Sequence, residues 1–119
     1  MKEDNPVVEK SYAFALRVVK LHRYLCEEKK DFVLSKQVLR SGTSIGANVE
    51  EAIGGQSKAD FIAKLSIAYK EARETNYWLR LLRDSGFLAP DQATSIIQDS
   101  EELLKIIGSI LKTTKSQNS

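Results

Sequence analysis

Apolar residues recur every three to four positions in four separate segments of the chain. This spacing predicts four helices, over about 7–30, 35–53, 57–84 and 90–113. Ser57 and Asp60 have the spacing of a capping box, Ser85-Gly86 is typical of a helix end, and Pro90 suits a first helical position. Because short connections favour antiparallel neighbours, the predicted fold is all-α, an antiparallel up-down-up-down four-helix bundle.

The chain length predicts one domain, over residues 1–119, with a frayed tail from about 114 to 119. With 42% hydrophobic residues and a net charge of +2, the composition argues against a disordered chain. Neither an apolar leader after Met1 nor a membrane-length apolar run is present. We therefore expect a cytoplasmic protein without a membrane partner.

The apolar stripes are wider than one core requires. On the first helix they cover roughly half of the circumference, and the fourth helix behaves alike. On the third helix, Ile67 and Trp78 point away from the predicted core stripe. Large exposed apolar surfaces usually mark contacts with partners, so the pattern predicts self-association. The alternative is a thick core with a few tolerated surface aromatics.

Two charged residues on the second helix extend this prediction. Arg40 and Glu51 lie opposite the core stripe but about 16 Å apart along the axis, too far to pair with each other. They are either solvated or paired with another helix or subunit. The predicted oligomer interface therefore comprises Arg40, Glu51, Ile67 and Trp78.

Gly42 lies on the predicted core stripe of the second helix, with Val38, Ile45, Val49 and Ile53. A glycine inside a helix costs about 1 kcal/mol relative to alanine, which implies a packing reason for its presence.

Candidate catalytic and metal-binding residues are few. His22 and Cys26, the one histidine and the one cysteine, lie one turn apart on the apolar face of the first helix. Neither a zinc site nor a catalytic triad can be assembled around a single histidine without further partners. We therefore predict no enzymatic activity, no metal, no cofactor and no small-molecule substrate.

A basic face on the third helix is the candidate binding site. Lys70, Arg73, Tyr77 and Arg80 are spaced to share one exposed side. Cations with an interleaved aromatic ring suit phosphates and a stacked base, which makes this set the candidate nucleic-acid-binding site. The alternative is an ordinary solvated face, partly neutralised by Glu74 and Asp84.

Two central segments resemble a known bacterial family. Residues 38–52 (VLRSGTSIGANVEEA) and 60–79 (DFIAKLSIAYKEARETNYWL) are similar to the signatures of the four-helix bundle proteins encoded in 23S rRNA intervening sequences. A relative of that family is the accessory variability protein of diversity-generating retroelements. The resemblance implies a ring-shaped homopentamer with no established enzymatic activity and a possible role in RNA or DNA binding. It also marks Arg40, Asn48, Glu51 and Glu71 as signature residues.

Two functional hypotheses follow. In the first, an oligomer binds RNA or DNA, or a nucleic-acid enzyme, through basic surface positions. In the second, the protein is a protein-protein interaction scaffold with no nucleic-acid role.

Overall fold

The computed structural model describes residues 5–117, which form four helices. These are α1 (Pro6–Glu27), α2 (Leu34–Ile53), α3 (Lys58–Asp84) and α4 (Pro90–Ser116). No strand occurs within the described residues. The all-α, four-helix prediction is therefore confirmed.

α1 ends about three residues earlier than its periodicity predicts. Lys30 adopts a left-handed conformation with φ 56°, and the Asp31 N–H donates to the Leu25 carbonyl at 3.0 Å. The Asp31 carboxylate then accepts hydrogen bonds from the backbone N–H groups of Leu34, at 3.4 Å, and Ser35, at 2.8 Å. Asp31 thus closes the turn and satisfies free donors at the start of α2, which stops α1 from continuing.

α4 continues about three residues beyond its predicted end near Thr113. Leu111 still packs into the core, and the Thr114 hydroxyl donates to the Ile110 carbonyl at 2.7 Å. Residues 114–116 of the predicted frayed tail are accordingly helical, and residues 118–119 lie outside the described part of the chain.

The other predicted helix boundaries agree closely with the structure. Ser57 Oγ accepts a hydrogen bond from the Asp60 N–H at 3.0 Å, which caps the N-terminus of α3. At the other end of α3, Gly86 has φ +85° and the Phe87 N–H donates to the Leu82 carbonyl at 2.9 Å. This is the Schellman arrangement, and Pro90 begins α4 four residues later.

Cross-helix contacts show how the four helices are arranged. Gly42 lies opposite Val18, whereas Gly46 lies opposite Ser11, so α1 and α2 run in opposite directions. α2 packs on α3, α3 packs on α4, and α4 returns to α1. This order of neighbours is compatible with the up-down-up-down arrangement.

The core lies along the common axis and is largely the predicted one. One residue assigned to it by periodicity is at its margin: Ile53, the last residue of α2, is 51% exposed. Fully buried apolar side chains include Phe14, Val18, Leu25, Val38, Ile45, Val49, Leu65, Leu79, Leu82 and Ile107.

A few buried polar side chains satisfy one another inside this core. Thr75 Oγ1 donates to Ser41 Oγ at 2.9 Å between α2 and α3, and Asn76 Nδ2 donates to Ser100 Oγ at 2.9 Å between α3 and α4. Because a buried polar group without a partner is costly, these pairs restrict the register of the helices.

No helix within residues 5–117 combines the length and apolar character that a membrane crossing requires.

Candidate functional site

The basic face predicted on α3 exists as an exposed strip. Lys70, Arg73, Tyr77 and Arg80 are all exposed, and Tyr77 retains 48% of its accessible surface. The Arg80 guanidinium lies 5.8 Å from the centre of the Tyr77 ring, within the range of a cation–π contact. Its Nε also donates to Asn76 Oδ1 at 2.9 Å, which holds the guanidinium beside the ring. We call these four residues the basic strip.

The carboxylates expected to neutralise the basic strip have closer cationic partners elsewhere. Glu74 pairs with Arg40 of α2, and Asp84 Oδ1 pairs with Arg83 Nε at 2.7 Å. The hydrogen bond from Arg83 lowers the pKa of the Asp84 carboxyl. No carboxylate within residues 5–117 forms an ion pair with Lys70, Arg73 or Arg80. The charges of Lys70 and Arg80 still help to lower the pKa of the Glu74 and Asp84 carboxyls. The basic strip is therefore partly neutralised at a distance, but no ion pair in the described part of the chain holds its three cations.

A second, half-buried strip of α3 faces α2 and contains an ion-pair network. Arg40 donates to Glu71 at 3.4 Å and also to Glu74, and the Trp78 indole N–H donates to Glu74 at 2.9 Å. The indole hydrogen bond, followed by the Arg40 contacts and the charge of Lys70, holds the pKa of the Glu74 carboxyl below its ordinary value, against a partial burial that raises it. Glu74 therefore stays ionised and joins Arg40 to Trp78.

Further along the same pair of helices, Glu51 pairs with Lys64 at 2.9 Å. Ile67 lies one turn after Lys64 on α3 and is 39% exposed. Glu74 thus links Arg40 of α2 to Trp78 of α3. In the same way, Lys64 links Glu51 of α2 to the part of α3 that contains Ile67. Of the outcomes left open for Arg40 and Glu51, pairing with another helix of the same chain is the one observed. We call the surface formed by Arg40, Glu51, Ile67 and Trp78 the α2–α3 seam.

The signature residues also lie along α2 and α3. The carboxylate of Glu71 is only 13% exposed beneath the Arg40 guanidinium. Asn48, half-buried on α2, donates from Nδ2 to the Ser44 carbonyl at 2.8 Å. Three of the four signature residues therefore form interhelical ion pairs, a structural role that their spacing along α2 alone did not reveal.

His22 and Cys26 are half-buried neighbours. Cys26 Sγ lies 3.6 Å from His22 Nε2 and 3.6 Å from Ser35 Oγ. No carboxylate within the described part of the chain hydrogen bonds to His22. The same residues contain no group of three or more histidine, cysteine, aspartate or glutamate side chains placed to hold a metal.

Sequence analysis missed a groove on the side of α3 that faces α4. Ser66 and Tyr69 of α3 and Lys112 and Lys115 of α4 line one hollow of about 360 Å³. Gly108 forms its floor, where an added Cβ would lie only 3.2 Å from Tyr69 Cε1. Helical spacing places Gly108, Lys112 and Lys115 on one side of α4, which was the available signal, but it does not show which neighbour that side meets.

Comparisons with known proteins find a matching family model and matching solved structures. A family model described as "23S rRNA-intervening sequence protein" matches residues 3–109. The chain is also similar to a crystal structure of a protein of unknown function from the S23 ribosomal protein family of Bacteroides thetaiotaomicron, with 55% identity and a TM-score of 0.88. That match covers 89% of this chain and 98% of the other. No curated protein sequence matches.

Proposed function

The chain belongs to the 23S rRNA-intervening sequence protein family, and from that premise we propose that it is a non-enzymatic homo-oligomer that binds RNA or DNA through the basic strip of α3. The match confirms the family resemblance predicted from residues 38–52 and 60–79. Its solved relative is a protein of unknown function. The binding role therefore rests on this chain's own surface.

The proposal rests on one observation: the cations of the basic strip are exposed and are not held in ion pairs by the described residues. Its three cations are exposed and free of ion pairs within residues 5–117, and they flank an exposed aromatic ring. Phosphate oxygens suit the cations, and a nucleobase suits the ring beside Arg80. Glu74 and Asp84, the nearest acidic side chains of α3, have closer partners in Arg40 and Arg83.

Oligomerisation is the second part of the proposal, and five subunits follow from the family resemblance. One strip has only three cations, which is too few for tight binding at physiological salt. Copies repeated around a ring would act together on one long ligand and raise affinity by roughly 10²-fold or more through effective concentration.

An enzymatic alternative would have to use His22 and Cys26. A nucleophilic cysteine needs a base that is itself oriented by a third group. His22 contacts Cys26, but within residues 5–117 no carboxylate orients its ring.

Fluorescence anisotropy with structured RNA and duplex DNA at two salt concentrations tests the binding proposal. Affinity should fall steeply with salt because phosphate contacts release condensed counterions. Arg73→Ala with Arg80→Ala should flatten that dependence. Tyr77→Ala should cost about 1–3 kcal/mol per stacked base without changing it.

The matched control for the double arginine variant is Lys29→Ala with Lys36→Ala, which removes the same charge from exposed positions in the α1–α2 loop and at the start of α2. Absence of binding at low salt would exclude the nucleic-acid role and favour the protein-scaffold hypothesis. Binding with an unchanged salt dependence in the double arginine variant would exclude the basic strip as the site.

A further inference from the structure

The groove between α3 and α4 continues the basic strip onto a second helix. Beside the hollow at Tyr69 and Gly108 lies another, of about 440 Å³, lined by Arg73, Tyr77 and Arg80 of α3 and by Leu104 of α4. Leu104 is one turn from Gly108, and Arg73 is one turn from Tyr69, so the two hollows are adjacent. From Ser66 to Arg80 the groove follows α3 for about 21 Å, at a rise of about 1.5 Å per residue.

Cations line this groove from both helices. Arg73 and Arg80 lie at one end on α3, and Lys112 and Lys115 lie at the other end on α4. All four side chains are exposed, and none forms an ion pair within the described residues. The acidic side chain that lines the groove, Glu74, is already paired with Arg40.

Aromatic and hydroxyl groups alternate with these cations. Tyr77 is exposed in one hollow, and Tyr69 and Ser66 line the other. Tyr77 and Tyr69 are eight positions apart, about 12 Å along the helix axis. Glycine at position 108 keeps the side of Tyr69 that faces α4 free of a side chain. A helix-interior glycine costs about 1 kcal/mol relative to alanine, and the close approach of Tyr69 is the structural reason for it here.

We propose that this α3–α4 groove binds a single strand of nucleic acid, with its backbone along Lys115, Lys112, Arg73 and Arg80 and a base beside Tyr77. Rings interleaved with cations bind bases by their faces, and those faces are accessible only when the bases are unstacked and unpaired. Because an unstacked strand is more extended than the roughly 3.4 Å per nucleotide of a duplex, fewer than about six nucleotides would span about 21 Å. This inference rests on the proposed function and adds to it the strandedness of the ligand and the two lysines of α4.

The test measures binding of short fluorescein-labelled oligouridine and oligothymidine, and of a labelled DNA duplex, by anisotropy across a salt series. The variant is Lys112→Ala with Lys115→Ala, and the charge-matched control is Lys29→Ala with Lys36→Ala. For a single strand, each phosphate that the protein no longer neutralises should reduce the salt slope by about 0.7, so the slope of the variant should be smaller by about 1.4. At 0.1 M salt that corresponds to about 25-fold weaker binding. Circular dichroism confirms that each variant remains helical.

Tighter binding of the single strands than of the duplex, weakened about 25-fold in the α4 variant but not in the control, would support the groove. Equal or tighter duplex binding would overturn the single-strand assignment and leave nucleic-acid binding intact. Equal effects of the α4 variant and the control would overturn the role of Lys112 and Lys115 and leave the α3 strip intact. Failure of every probe to bind at low salt would overturn both this inference and the proposed function.

Discussion

Gly42 lies directly against the side chain of Val18 where α1 and α2 pack together. A Cβ at this position would lie 2.7 Å and 2.8 Å from the two Cγ atoms of Val18, which is itself fully buried. Such contacts require Val18 or the backbone to move, in an interior where packing leaves little free volume. The prediction that Gly42 belongs to the core stripe is therefore confirmed.

Gly42→Leu should destabilise the fold by about 3 kcal/mol or more through overpacking against Val18. Ala47→Leu, on the exposed side of the same helix, is the matched control and should change stability little. Urea denaturation followed by circular dichroism measures both. Equal stabilities of the two variants would show that α1 and α2 separate at Gly42 without cost.

α3 has a buried apolar side and two other surfaces of different chemistry. Leu65, Leu79 and Leu82 of this helix are fully buried, while its exposed surface is divided between the basic strip and the α2–α3 seam. The helix ends sharply because Gly86 adopts φ +85°, a conformation in which an L side chain is strained. This ending leads the chain into the short connection before α4.

Gly86→Ala should destabilise the protein by about 1–2 kcal/mol, because alanine is strained in the left-handed region. Gly86→Asn should cost less, since asparagine tolerates that region better. The control is Gly54→Ala, where φ is −84° and an added Cβ would make only ordinary contacts. Thermal unfolding ranks the variants, and an alanine variant at position 86 as stable as the control would contradict this account of the helix end.

Apolar side chains remain exposed to solvent on the outer side of the four-helix bundle. Ile67, 39% exposed, and Leu81, 36% exposed, lie on α3 to either side of the half-buried Trp78. The Arg40 and Glu51 ion pairs border this surface. An apolar centre with charged edges is typical of a protein interface. This surface adjoins the basic strip, because the Tyr77 and Trp78 rings meet edge to face with their centroids 5.2 Å apart.

The protein should therefore be a homo-oligomer, with five subunits expected, when measured by light scattering at micromolar concentration. Ile67→Arg should shift it to smaller species, because a charge would be buried without a partner at the contact. Val33→Arg, at an exposed apolar residue before α2, is the control and should leave the mass unchanged. A wild-type mass near the 13.4 kDa monomer would contradict the oligomer.

The helices, the core position of Gly42 and the exposure of the basic strip could be predicted from the sequence. Each of these features depends either on periodicity within one helix or on a residue that marks a helix end, such as Ser57 or Gly86. Both kinds of signal can be recognised from residues that are close together in the sequence. Residues 38–52 and 60–79 were also sufficient for the family, because a family signature is a property of the sequence itself.

The tertiary structure decided which helices meet and in what register. Arg40 pairs with Glu71 and Glu74, 31 and 34 positions away, because Gly42 and the Ser41–Thr75 hydrogen bond hold α2 in its place between α1 and α3. In the same way, Lys112 and Lys115 join the basic strip only because α4 packs beside α3. Helical periodicity tells which side of a helix is apolar, but the partner of its polar side depends on how all four helices pack together.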